Sequence, residues 1–71
     1  MNSASRLSKQ IIERRKHYGL SQRDLAEMSG VSARTVEAIE LGKANPSVGT
    51  LERVCKPIGL VVTLSERVKF E

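Results

Sequence analysis

Seventy-one residues leave room for one domain with a small interior. A single cysteine, Cys55, and a single histidine, His17, exclude an internal disulfide and a closed zinc site, so neither metal nor cofactor is expected. Twelve basic against eight acidic residues give a net charge of +4, which suits a polyanionic partner without requiring one. No apolar run has the length of a membrane span, and "MNSASRLSKQ" lacks a hydrophobic signal core. The expected location is therefore cytoplasmic and reducing, where a lone thiol on an apolar helix face acts as a small hydrophobe. So small a core predicts self-association as its supplement.

In chain order, Gly19, Gly30, Gly42 and Gly59 divide the sequence into short pieces, as glycines at helix C-termini would. The first piece, 6–18, carries Leu7, Ile11 and Tyr18 at helical spacing and ends on "RRKH", favourable at a helix C-terminus. Ser21 opens "SQRDLAEMS" and stands at capping-box spacing from Asp24; Leu25, Ala26 and Met28 supply its buried side. Ser32 is the N-cap of a third helix running to about Leu41. At 100° per residue, Val36 and Ile39 with Ser32 beside them face the core, while Arg34, Glu37, Ala38 and Leu41 point away. Gly30 falls where a tight turn between two helices needs a positive φ.

"GKANPS" reads as a loop, and Ser47 caps a fourth helix carrying Val48, Leu51, Val54, Cys55 and Ile58. Pro57 removes a backbone donor and bends or ends its last turn, so the helix is expected to finish at about Lys56 to Ile58. After Gly59 the period changes to two: in "LVVTLS", Leu60, Val62 and Leu64 alternate with Val61, Thr63 and Ser65. This reads as one strand, Leu60, Val61, Val62, Thr63 and Leu64, with no second strand in the chain to pair with it. Pairing with the same strand of a second copy satisfies its backbone; a frayed extended tail is the alternative. "RVKFE" reads as a fraying end. The expected fold is all-α, a small helical bundle with a helix-turn-helix over 1–59, followed by a dimerisation strand and tail over 60–71.

A helix-turn-helix whose second helix keeps one face unburied fits a DNA major groove, although ordinary bundles contain the same arrangement. The residues go further. "LSQRDLAEMSGVSARTVEAIELGKANPSVGTLERV", with "LSQ.DLA", "GVS..T", "IE.GK", "NPS" and "TLERV" in joint order, resembles the phage repressor, Cro and Xre family of regulators. The flanks "RRKHYGLSQ" and "IGLVVTLS" are similar to HipB-like antitoxins, whose C-terminal strand pairs between subunits. The resemblance implies a lambda repressor-like fold and a homodimeric repressor of an inverted repeat in double-stranded DNA. It also implies an antitoxin that autoregulates a HipBA-like operon and binds a HipA-like kinase toxin.

Residue by residue, it implies that Gln22 contacts a phosphate and can reach a base, and that Ala33, Arg34, Glu37 and Ala38 face bases. Phosphate contacts fall to Ser21, Arg23, Ser32, Thr35, Lys43 with the backbone beside it, and Asn45. Arg15 and Glu40 match a salt bridge between the first helix and the recognition helix. Chemistry narrows some of these roles and leaves others open. Arg34 can donate two hydrogen bonds to guanine O6 and N7, or it is a phosphate contact or a solvated arginine. Ala33 and Ala38 touch a thymine methyl or merely permit close approach; Glu37 accepts from cytosine N4 or repels phosphate. Arg14, Lys16, Arg23 and Lys56 read as solvated helix-face charges. The competing reading is a protein-interaction module whose helix-turn-helix no longer reads DNA. An enzyme is not expected, because the sequence holds no catalytic constellation.

Overall fold

The computed structural model describes residues 3–63, which form α1 (Ser3–His17), α2 (Gln22–Ser29), α3 (Ala33–Glu40), α4 (Val48–Cys55) and a 3-10 turn, Lys56–Ile58. The last three helices begin alike. Ser21, Ser32 and Ser47 each hold an extended backbone, and each side chain accepts the N–H three residues on, from Asp24, Thr35 and Thr50. At Ser21 the box closes, because the Asp24 carboxylate accepts the Ser21 N–H at 3.0 Å. Gly30 ends α2 with φ +72 and donates its N–H to the Ala26 carbonyl, a conformation that would strain any residue with a Cβ. The turn to α3 is thus built locally.

The core is one cluster: Ile11 from α1, Leu25 and Ala26 from α2, Val36 and Ile39 from α3, Val54 and Cys55 from α4, and Ile58 from the 3-10 turn. Leu7, Leu20, Val31, Ala44, Leu51, Leu60 and Val62 pack against it half-buried. α2 is central, touching α3, α4 and the 3-10 turn, while α1 covers α3 and the turn. Burial pushes the Cys55 thiol above its ordinary pKa, so it serves as packing. No helix among the described residues is long and apolar enough to cross a membrane.

Several expectations need correction. Met28 is 56% exposed, Val48 58%, and Tyr18 also stands largely in solvent. Met28 and Val48 sit on eight-residue helices that each bury only a narrow stripe, and Tyr18 lies just past the end of α1. Ser32 faces water as a cap and is not part of the core side. α4 ends at Cys55, and Pro57, with no N–H to continue the helix, sits in the tighter turn that follows.

Within the described residues 60–63 there is no strand, and no described segment pairs with them. The Leu60 N–H donates instead to the Cys55 carbonyl at 3.0 Å. Burial still alternates: Leu60 and Val62 are half-buried, while Val61 and Thr63 are exposed. Leu64, the rest of the expected strand and "RVKFE" lie outside the described residues.

Candidate nucleic-acid interface

α3 presents two unlike sides. Val36, Ile39 and Glu40 are buried, whereas Ala33, Arg34, Glu37 and Leu41 are exposed and Ala38 is half-exposed. Among the described residues no hydrogen bond or ion pair holds the side chains of Arg34 or Glu37. At its start, the Ser32 and Thr35 hydroxyls lie 2.9 Å apart. Two O–H groups share one contact there, so one hydrogen remains to donate outward. The Ser21 hydroxyl accepts from the Asp24 N–H at 2.9 Å, and its own hydrogen turns to the Asp24 carboxylate. The first N–H groups of α2 have no acceptor within the helix and suit an anion.

Asp24 adds a feature that sequence reasoning valued only as a cap. Hydrogen bonds from the Ser21 backbone and hydroxyl hold its carboxyl below the ordinary range. It therefore carries a fixed negative charge beside the start of α2. That charge favours the helix and opposes a phosphate placed there.

Gln22, Glu40 and Arg15 are brought together at the centre of the site. The Glu40 carboxylate accepts from Arg15 Nε at 2.6 Å and Arg15 Nη2 at 3.0 Å, a two-pronged pair between α3 and α1. Arg15 Nη1 also donates to the Leu20 carbonyl at 2.8 Å, just ahead of α2. Gln22 Nε2 donates to Glu40 Oε1 at 3.0 Å, which commits one of its two amide hydrogens inside the protein. Burial pushes the Glu40 carboxyl up. The hydrogen bonds from Arg15 and Gln22 and the charges of Arg15 and Lys16 more than offset this, leaving it below its ordinary value. The Arg15 guanidinium moves upward, chiefly through its hydrogen bond to Glu40. Both ends of the pair stay charged.

Beyond α3 the Gly42 N–H donates to the Ile39 carbonyl and the Lys43 N–H to the Ala38 carbonyl, both at 3.0 Å. These two N–H groups are thus used within the protein, and the Lys43 side chain is exposed. Arg23 and Asn45 are exposed. No group of three or more His, Cys, Asp or Glu side chains gathers among the described residues.

Two positioning contacts escaped the sequence. Arg14, read as a solvated charge, donates through Nε to the Ile58 carbonyl at 3.0 Å and through Nη2 to the Tyr18 hydroxyl at 3.1 Å. The buried Ser8 hydroxyl donates to the Ile39 carbonyl at 2.6 Å, joining α1 to the last turn of α3. Ile58 and Ile39 lie 44 and 31 residues from their donors, beyond any local signal.

This geometry, a capped pair of short helices across a glycine turn with the second helix open on one side, defines a helix-turn-helix protein. The helix-turn-helix family profile matches residues 11–63, and the chain belongs to that family, of the Xre and Cro type. It is 41% identical to the HTH-type transcriptional regulator PuuR of Escherichia coli (strain K12) over 58 residues, 82% of this chain and 30% of PuuR. An uncharacterized HTH-type transcriptional regulator of Haemophilus influenzae is 34% identical over 58 residues, 82% of this chain and 59% of that protein. A third relative, an uncharacterized HTH-type transcriptional regulator of Methanothermobacter thermautotrophicus, is 41% identical over 49 residues, 69% of this chain and 71% of the relative. The chain thus spans less than a third of PuuR and about three-fifths of the Haemophilus protein.

Proposed function

We propose that this chain is a sequence-specific, DNA-binding transcription regulator that reads bases with the outer face of α3. The observation that carries the reading is the exposed, unbonded pair Arg34 and Glu37 on a helix anchored from behind by Val36, Ile39 and Glu40. Arg34 is the base reader, a fork suited to guanine O6 and N7. Ala33 and Ala38 allow close approach to the groove. Lys43, Arg23, Asn45 and the hydroxyls of Ser21, Ser32 and Thr35 meet the backbone on either side. The relatives named as transcriptional regulators support the same reading.

The finer reading is a homodimeric repressor of an inverted repeat, with residues 1–59 binding DNA and 60–71 serving dimerisation. Leu60, Val61, Val62, Thr63 and Leu64 pair with their copies, setting two recognition helices about 34 Å apart. Alternating burial along 60–63 supports this, since Val61, 80% exposed, is left for a partner to cover. Removal of 60–71 is expected to give a monomer with its helix content retained; a dimer persisting in light scattering would move the interface elsewhere. The HipB-like flanks support an antitoxin that binds a HipA-like kinase toxin, a role that a pull-down with such a kinase tests.

Gel-shift titration against the DNA upstream of the protein's own gene, at several salt concentrations, tests the central reading. Binding should weaken steeply with salt, with random DNA at least ~10³ weaker. Equal and weak binding to both DNAs would favour a protein-interaction module, to which Ala33 and Ala38 lend the support of a thinned polar face.

A further inference from the structure

The Glu40 carboxylate has two neighbours with different duties. Arg15 occupies both of its oxygens, and Oε1 also accepts from the Gln22 carboxamide. An ionised carboxylate only accepts, so Gln22 must meet it with nitrogen; a reversed amide would set oxygen against oxygen with no hydrogen between. The buried pair therefore decides which end of the Gln22 side chain turns inward. The carboxylate also repels the amide oxygen, which selects the amide hydrogen trans to that oxygen. What remains for the half-exposed side is the amide oxygen beside the second hydrogen, one acceptor next to one donor. A phosphate offers acceptors alone and can use only half of this. Adenine in the major groove offers its N6 amino group beside N7 and uses both.

We propose that Glu40 is a positioning residue for base recognition: by fixing the polarity of the Gln22 amide, it makes Gln22 a reader of adenine. The inference rests on the DNA-binding reading above and adds to it. Arg15 belongs to the same device. It holds the carboxylate from α1 while its Nη1 grips the Leu20 carbonyl, so the start of α2 and the end of α3 are referenced to one guanidinium. Ala33, the first residue of α3, brings no polar group to compete for the amide.

The test begins with duplexes selected by the wild-type protein from a random library. One A·T position per half-site should depend on Gln22, with Gln22→Ala losing a preference of about tenfold there. Replacing that adenine by 7-deazaadenine, which lacks the N7 acceptor, should weaken the wild type and leave Gln22→Ala unaffected. Glu40→Gln lets either end of the Gln22 amide turn inward, and should lose the same preference with the salt dependence of binding unchanged. In the Gln22→Ala background, Glu40→Gln should change that preference no further. A merely structural Glu40 would alter binding equally in both backgrounds, and that result, or an intact adenine preference in Glu40→Gln, would overturn the proposal.

Should Glu40→Gln fail to fold, the wild type still decides. The two Gln22 amide protons are expected to have well-separated NMR signals, one shifted by the carboxylate. Signals at the positions of a free glutamine would reject the contact. If every duplex binds equally weakly, the DNA-binding reading fails and takes this role with it, while the amide signals still report whether Glu40 orients Gln22.

Discussion

The inner and outer sides of α3 differ in how far their side chains are committed. Inside, Val36 and Ile39 are packed and Glu40 is bonded to two other helices; outside, the Arg34 and Glu37 side chains hold no hydrogen bond or ion pair among the described residues. On the reading proposed above, the contrast places stability and recognition on different residues of one short helix. Substitutions should therefore separate them.

The largest effect is expected from Arg15→Met, which leaves the nearly buried Glu40 carboxylate and the Leu20 carbonyl without their donor. A loss of about 3 kcal/mol in urea unfolding is the expected outcome. An unchanged midpoint would show that this pair does nothing for the fold. Arg34→Ala should behave oppositely. Stability should stay within about 0.5 kcal/mol, while discrimination at one base pair falls by about 2 kcal/mol in competition binding. A stability loss as large as that of Arg15→Met would erase the distinction between the two sides.

Gly30→Ala probes the turn that aims α3. A methyl there meets no atom within 4 Å, so only the strain of φ +72 acts, about 1 kcal/mol by thermal or urea melting. Acid has the gentlest expected effect. Glu40 has a folded pKa below its ordinary 4.5, so its stabilising contribution is complete above that value. The contribution is lost as pH falls from there through the lower folded pKa. Asp24, also lowered, acts in the same direction. Glu40→Gln should flatten the acid limb of stability against pH, and an identical limb in that variant would assign the slope elsewhere.

How much of this could be read in advance depended on distance along the chain. Ser21 with Asp24, Ser32 with Thr35 and Ser47 with Thr50 are three residues apart, and side chains at that spacing meet as soon as the helix forms. Val36 and Ile39 declare a buried stripe by their spacing alone. Arg15 and Glu40, 25 residues apart, were suggested by a resemblance and not by periodicity. The Gln22 contact to Glu40 follows from how α2 crosses α3, which no local pattern encodes. The adjacent arginines show the limit most clearly. Arg14 and Arg15 look alike in the sequence, yet one grips Ile58 and the other Glu40, because 100° of helix rotation sends them to different neighbours.

The repeated serine caps have a consequence for how such a protein can change over generations. Because Ser32 fixes where α3 starts and the buried side fixes its rotation, the exposed positions 33, 34 and 37 are set by residues other than those that occupy them. New side chains at these three sites would be carried to the same place on the surface. If the outer face reads bases as proposed, a lineage could move to a different operator by a few exposed substitutions, with no need to rebuild the scaffold beneath.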